Sequence, residues 1–157
     1  MRPDTVLRLA EHPNIIGIKE SSGDLAQVQH LLLGRPEGFA VLSGEDWMAL
    51  AIIAAGGGGL ISVASNEIPK LMSTLVRHCL LGRLAEARDI LYLVLPLLEA
   101  NFLETNPAPV KAALAGMGRI HNVLRLPLVP LSDGRHAPLF AALREAGIDI
   151  PPVTGTR

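Results

Sequence analysis

The residue of this chain with the clearest chemical potential is Lys19, in the stretch "NIIGIKESSGD". Such an apolar run predicts a strand, and side chains alternate along a strand, so Ile16 and Ile18 share one face. Lys19 shares the other face with Gly17, which leaves room beside the amine. If the isoleucines face covering helices, Lys19 points to the interior side of the sheet, close to the end of its strand.

A lysine buried at a strand end could act as a nucleophile. A free lysine side chain has a pKa of about 10.4, so at neutral pH fewer than about one in a thousand is a neutral amine. Burial disfavours the ammonium and can lower that value by about 3 to 5 units, and a neutral amine attacks a ketone to form a Schiff base. The alternative is an ordinary strand-end lysine that reaches solvent or pairs with Glu20.

The elements that would hold this lysine alternate between strands and helices. After a short helix over residues 3–11, the pattern predicts the strand "NIIGIKES", the helix "GDLAQVQHLLLG", the strand "FAVLSG", the helix "EDWMALAIIAAG", the strand "GGLISVAS" and a helix to about Leu81. Such alternation, with connections of a few residues, is typical of parallel βα units. We therefore predict an α/β fold.

The second half of the chain is predicted to be helical. Residues 83–101 form a long helix in which Pro96 predicts a kink or a break. Another helix is expected in "NPAPVKAALAGMG", and a last one in "APLFAALREAG", after the extended, proline-broken segment "LRLPLVPLSDG".

These elements predict three consecutive regions. An α/β domain covers residues 1–80, a helical domain covers 81–147, and a flexible tail covers 148–157. Three parallel strands alone leave both edges of the sheet unpaired and one of its faces uncovered. The first region therefore needs a further covering layer.

Composition argues against several classes of function. The net charge of −1 gives no electrostatic basis for binding nucleic acid or an anionic membrane. Cys79 is the only cysteine, and the five histidines have no zinc-ligand spacing, so neither a disulfide nor a metal site is expected. Because there is no apolar signal region and no uncharged apolar run of about 18 residues, we expect a cytoplasmic protein without a membrane span.

Two further motifs have structural explanations. The four glycines of "AAGGGGL" have the composition of a phosphate loop, but they close a helix and open a strand, which favours a helix cap and close packing. Ser21, Ser22 and Asp24 are first of all candidates for capping the helix that follows them. One of the serines could also contact a ligand carboxylate.

Three motifs resemble the dihydrodipicolinate synthase family: "IIGIKESSGD", "VLSGEDWMALAIIAAGGGGLISVASN" and "ETNPAPVKAAL...LRLPLVPLS". That family belongs to the lysine-dependent aldolase superfamily, together with N-acetylneuraminate lyase. The resemblance covers nearly the whole chain and matches the C-terminal half of the family's chains. It implies the C-terminal part of a TIM (β/α)8 barrel, with about three βα units here, followed by a C-terminal α-helical domain.

The resemblance also assigns roles to four residues. Lys19 corresponds to the lysine that forms a Schiff base with pyruvate. Gly44 and Glu45 correspond to the loop that lines the site after the second strand. Ile61 corresponds to a position whose backbone carbonyl faces bound pyruvate.

The reaction implied by the resemblance adds the pyruvate enamine to aspartate semialdehyde, after which the product cyclises in lysine biosynthesis. The expected ligands are therefore a small keto acid and an aldehyde, and no cofactor is expected besides the covalent Schiff base on Lys19. The expected macromolecular partners are further copies of the chain in a homo-oligomer or a complementing barrel half.

Part of the family's machinery has no counterpart in this chain. A whole barrel needs about 250 residues, and the family's proton-relay tyrosines and threonine, with the arginine for the second substrate, belong to its first half. Synthase activity of this chain alone is therefore expected to be weak or nil. The alternatives are another aldolase of the superfamily, such as N-acetylneuraminate lyase or a 2-keto-3-deoxy sugar-acid aldolase, and a non-catalytic remnant that pairs with another chain.

Overall fold

The computed structural model describes residues 1–150 and shows an α/β chain. Its elements, in order, are α1 (Pro3–Ala10), β1 (Gly17–Glu20), α2 (Leu25–Gly34), β2 (Ala40–Ser43), a 3₁₀ turn (Asp46–Met48), α3 (Ala49–Ala54), β3 (Gly59–Leu60), a second 3₁₀ turn (Ala64–Asn66), α4 (Pro69–Leu80), α5 (Leu84–Ala100), α6 (Ala108–Gly116) and α7 (Asp133–Glu145). None of the helices within these residues is long and apolar enough to cross a membrane.

Within residues 1–150 the strands form one parallel sheet in the order β1-β2-β3. Lys19 stands opposite Leu42 in the β1–β2 register, and Leu42 stands opposite Gly59 in the next pair. Consecutive parallel strands joined by helices confirm the predicted βα units.

The strands are shorter than the sequence predicts. β1 has four residues instead of about seven, because β2 begins only at Ala40, the residue paired with Gly17. β3 has two residues, and its pairing ends with a hydrogen bond from the Ile61 N–H to the Ser43 carbonyl. The predicted helix over residues 45–56 is also divided, into a 3₁₀ turn and the short α3.

One face of the sheet carries the core of this part of the chain. The cluster joins α1, α2, β2 and α3 through side chains that are almost fully buried, namely Val6, Val28, Leu31, Val41 and Ile52. Ile18 packs against this cluster, which confirms that it faces the helices. The same expectation is wrong for Ile16, which is 78% exposed because it precedes the paired part of the strand.

The turn between β1 and α2 is fixed by hydrogen bonds from the backbone. Asp24 caps α2, since its carboxylate accepts from the N–H groups of Ala26 (2.9 Å) and Gln27 (3.2 Å). The Ser22 hydroxyl accepts from the N–H of Asp24 at 3.1 Å. Of the three predicted cap candidates, Asp24 caps the helix, whereas Ser22 stabilises the turn before it.

The glycines after α3 end that helix, as predicted. Gly56 has a φ of 107°, a conformation that side chains disfavour, and the Gly57 N–H donates to the Ile52 carbonyl at 2.8 Å. A Cβ on Gly57 would lie 2.7 Å from Ile52 Cγ2. These glycines provide a helix end and close packing.

The chain divides into two compact units. One consists of Met1–Ser62 with Ser73–Asp89, and the other of Val63–Met72 with the chain from Ile90 onward. Each unit contains two separate segments, whereas the predicted domains are consecutive. The predicted tail over residues 148–157 falls mostly on residues 151–157, which lie outside the described residues, and Ile150 is buried.

The second unit has a polar contact in its interior. The Asn101 side-chain amide donates to the Glu67 carboxylate at 2.6 Å, and both residues are buried. α6 and α7 pack closely, since a Cβ on Gly116 would lie 2.9 Å from the Phe140 ring. The helix that contains Pro96 continues through it as a single element, so no break occurs there.

Candidate active site

Lys19 lies at the next-to-last position of β1, on the face of the sheet opposite Ile18. The core cluster covers the Ile18 side, so the amine is on the side away from those helices, as the alternation predicts. The side chain is exposed in this chain, and the burial expected for it is therefore not observed within the described residues.

Gly44, which follows β2, provides the surface beside the lysine. A Cβ placed on Gly44 would lie 2.7 Å from Lys19 Cε and 3.0 Å from Lys19 Cγ. The Gly44 N–H donates to the Glu20 carbonyl at 2.7 Å, which holds the two strand ends together. The absence of a side chain at Gly44 therefore creates the space in which the lysine lies.

Glu20 has a different environment from its neighbour Lys19. It is 6% exposed, and its carboxylate accepts from the Ser22 N–H (3.1 Å) and the Gln27 side-chain amide (3.0 Å). These bonds direct the carboxylate towards α2. The Glu20 carboxylate is thus used in the turn and the helix, which argues against the alternative that it serves to pair with Lys19.

The segment after β2 is held by Ser43. The Ser43 hydroxyl donates to the Glu45 carbonyl at 2.8 Å and accepts from the Glu45 N–H at 3.3 Å. Burial raises the pKa of the Glu45 carboxyl above its ordinary value of 4.5, and the Asp46 carboxylate raises it further. The Lys19 ammonium lowers the pKa of Glu45 and Glu20 raises it, so this carboxyl responds to the charge of the lysine.

Ile61 lies at the end of β3, next to the same edge. Its N–H donates to the Ser43 carbonyl at 2.8 Å, and its side chain is 45% exposed. The structure therefore brings the four residues singled out by the sequence, Lys19, Gly44, Glu45 and Ile61, to the carboxyl ends of three adjacent strands. In parallel βα folds this edge is where ligands bind.

Ser21 is a further residue at this site. Its hydroxyl oxygen occupies the position that a Gly44 Cβ would take, beside the Lys19 side chain. The sequence contains one signal for this contact, because Ser21 follows Lys19 by two residues and alternation puts both on one face. This signal is weak, because β1 ends at Glu20 and both Ser21 and Ser22 precede a helix.

These features define a parallel βα-repeat protein with a lysine amine at the strand ends. The chain belongs to the dihydrodipicolinate synthetase family, whose sequence profile matches residues 1–146.

Individual relatives agree with this assignment. The 4-hydroxy-tetrahydrodipicolinate synthase of Koribacter versatilis is 51% identical over 144 residues, which cover 92% of this chain and 48% of the relative. The dihydrodipicolinate synthase structure from Aquifex aeolicus matches with a TM-score of 0.92 and 34% identity, over 96% of this chain and 52% of that one. The chloride-inhibited enzyme from Acinetobacter baumannii, in complex with pyruvate, matches with a TM-score of 0.91 and 39% identity, over 94% and 51% of the two chains.

The chain spans about half the length of the curated relatives it matches.

Proposed function

We propose that this chain supplies the lysine-bearing part of a pyruvate-dependent Schiff-base lyase, which condenses pyruvate with aspartate semialdehyde in lysine biosynthesis. The observation that carries the proposal is the position of Lys19 Cε beside Gly44, at the carboxyl ends of the strands. The names of the relatives support the reaction, and the pyruvate bound by the Acinetobacter baumannii enzyme supports the choice of keto acid.

In this proposal Lys19 is the nucleophile. Its neutral Nζ attacks the keto carbon of pyruvate, the carbonyl electron pair moves to the oxygen, and that oxygen leaves as water to give an iminium. The iminium withdraws electrons, so the methyl carbon loses a proton and the adduct becomes an enamine. The enamine carbon then attacks the aldehyde.

The neighbouring residues support this sequence of steps. Gly44 provides the volume that the lysine adduct needs. Glu45 carries a carboxyl whose pKa is raised by burial, and Ile61 is held beside it through the Ser43 carbonyl. We assign these residues to the lining of the substrate site.

We further propose that the three strands are neighbouring strands of an eight-stranded (β/α)8 barrel, and that the later helices form a C-terminal helical domain. The exposure of Lys19 and Ile61 supports this proposal, because parallel sheets are normally covered on both faces. A complementing barrel half, or another copy of the chain in a homo-oligomer, would cover this face and remove water from the amine. Desolvation favours the neutral amine that attacks the ketone.

Borohydride reduction in the presence of pyruvate tests the proposal. Reduction converts the iminium into a stable secondary amine, which intact mass detects and peptide mapping locates. We expect one pyruvyl adduct, on the peptide that contains Lys19. Folded chain that gains no adduct would contradict the proposed function.

The exposure of Lys19 in this chain favours one second candidate, a non-catalytic remnant that folds by pairing with another chain. The same experiment separates the two, because a remnant would give no adduct on Lys19. Steady-state synthase activity of the chain alone is expected to be weak or nil.

A further inference from the structure

We infer that Ser21 contacts the carbonyl oxygen of the aldehyde acceptor and stabilises the negative charge that develops there as the carbon–carbon bond forms. The inference rests on the proposed function and extends it, because it concerns the second substrate and not the keto acid. It is carried by the arrangement of Ser21, Lys19 and Gly44.

The Ser21 hydroxyl and the end of the lysine share one small volume. Ser21 Oγ occupies the point where a Gly44 Cβ would stand, and Lys19 Cε lies 2.7 Å from that same point. Nζ is bonded directly to Cε. A substrate carbon attached to Nζ is therefore within a few bond lengths of the hydroxyl.

The helix cap does not use this hydroxyl. Asp24 receives the first N–H groups of α2, and the Ser22 hydroxyl accepts from the Asp24 N–H. Ser21 points instead to the lysine side of the strand end, where it is exposed.

The position of Ser21 along the chain indicates which substrate it meets. Ser21 follows Lys19 towards the carboxyl end of the strand, and both its hydroxyl oxygen and Lys19 Cε lie within 2.7 Å of the point where a Gly44 Cβ would stand. The keto acid is already attached to the amine when the aldehyde arrives from solvent. The acceptor therefore approaches past Ser21.

The chemistry of the bond-forming step needs a hydrogen-bond donor at this place. The enamine carbon gives its electron pair to the aldehyde carbon, the carbonyl pair moves to the aldehyde oxygen, and the nitrogen lone pair restores the iminium. The oxygen finally takes a proton from water. A neutral hydroxyl donates a hydrogen bond to that oxygen as its charge develops, whereas the Glu20 carboxylate is already held by the Ser22 N–H and the Gln27 amide.

The experiment uses pyruvate, succinate semialdehyde and cyanoborohydride with the wild-type chain and the variant Ser21→Ala. Succinate semialdehyde has the aldehyde and carboxylate of aspartate semialdehyde but no amine to displace the lysine, so the condensed product stays on Lys19 until it is reduced. Intact mass separates the pyruvyl adduct from the heavier condensed adduct. Their ratio within each sample is independent of the amount of folded protein.

We expect Ser21→Ala to form the pyruvyl adduct at the wild-type level and to lower the ratio of condensed to pyruvyl adduct about tenfold, less than the loss of a water-excluded oxyanion donor. The matched control is Ser22→Ala, which removes the adjacent hydroxyl that accepts from the Asp24 N–H and leaves the ratio unchanged.

An unchanged ratio in Ser21→Ala would overturn the inference and leave the proposed function intact. A wild-type chain that forms the pyruvyl adduct without any condensed adduct would also overturn it for this chain. If no pyruvyl adduct forms at all, the proposed function fails, and the inference fails with it.

Discussion

Adjacent residues of β1 have opposite environments on the two faces of the β-sheet. On the helix-covered face, Ile18 packs against the core cluster and the Glu20 carboxylate is held by the Ser22 N–H and the Gln27 amide. On the other face, the exposed Lys19 side chain lies beside Gly44 and the Ser21 hydroxyl. Stability and chemistry are thus carried by alternate residues of one four-residue strand.

This difference separates two kinds of charged residue. A charge on the covered face is stable only when its hydrogen bonds are satisfied by protein groups, as those of Glu20 are. A charge on the open face keeps its capacity to bind or react. Substitutions on the two faces should therefore affect different measurements.

The largest expected effect is the loss of Lys19 chemistry. Lys19→Arg should abolish the pyruvyl adduct, because a guanidinium stays protonated and does not form a Schiff base. The midpoint of urea unfolding should change little, since exposed substitutions usually cost less than about 0.5 kcal/mol. Lys111→Arg is the matched control and should keep the adduct. An adduct at the wild-type level in Lys19→Arg would show that another amine reacts.

Substitutions in the core cluster that covers the other face should instead lower the stability of the fold. Leu31→Ala removes a side chain that is 1% exposed in α2 and should lower the free energy of unfolding by about 2 to 5 kcal/mol. Leu33→Ala, two residues along the same helix and 85% exposed, should change it by less than about 0.5 kcal/mol. Urea unfolding measures both. Equal effects of the two substitutions would contradict the placement of the core cluster between α2 and the sheet.

Gly44→Ala tests the space beside the lysine. The new Cβ would lie 2.7 Å from Lys19 Cε and displace it together with the Ser21 hydroxyl, so we expect the yield of pyruvyl adduct to fall about tenfold because the reacting groups are misplaced. Gly58→Ala is the control, since its Cβ would meet Leu42 Cδ2 at an ordinary 3.5 Å. If both variants react like the wild type, the close approach at Gly44 has no role in the chemistry.

The smallest expected effect is the pH dependence caused by Glu45. Its pKa is raised in the folded chain, chiefly by burial, so the folded state holds this proton more tightly than the unfolded state. The corresponding stability is present below the ordinary pKa of 4.5 and is lost as the pH rises through the raised value.

Glu45→Gln should therefore remove the loss of stability that ionisation of Glu45 causes as the pH rises. We expect its melting temperature to match the wild type at about pH 4 and to exceed it slightly near about pH 7. Thermal unfolding followed over this range measures the difference. A variant less stable than the wild type at the higher pH would show that the ionised carboxylate is favourable where it stands.

The order of the elements and the orientation of Lys19 could be predicted from the sequence because both depend on local periodicity. The lengths of the strands could not, since β1 begins only where its partner Ala40 begins. The contact among Lys19, Ser21 and Gly44 depends on the register between two strands, which a single chain sequence does not state. The exposure of Lys19 likewise depends on which layer covers the sheet.

The hydrogen bonds between strand ends have a consequence for how this protein can change over evolutionary time. The Gly44 and Ile61 N–H groups donate to the backbone carbonyls of Glu20 and Ser43, and backbone bonds tolerate almost any side chain. Apart from Gly44, where a Cβ would meet the Lys19 side chain, the residues just beyond the strands can therefore be exchanged, and the preference for one acceptor aldehyde can change while the core is kept.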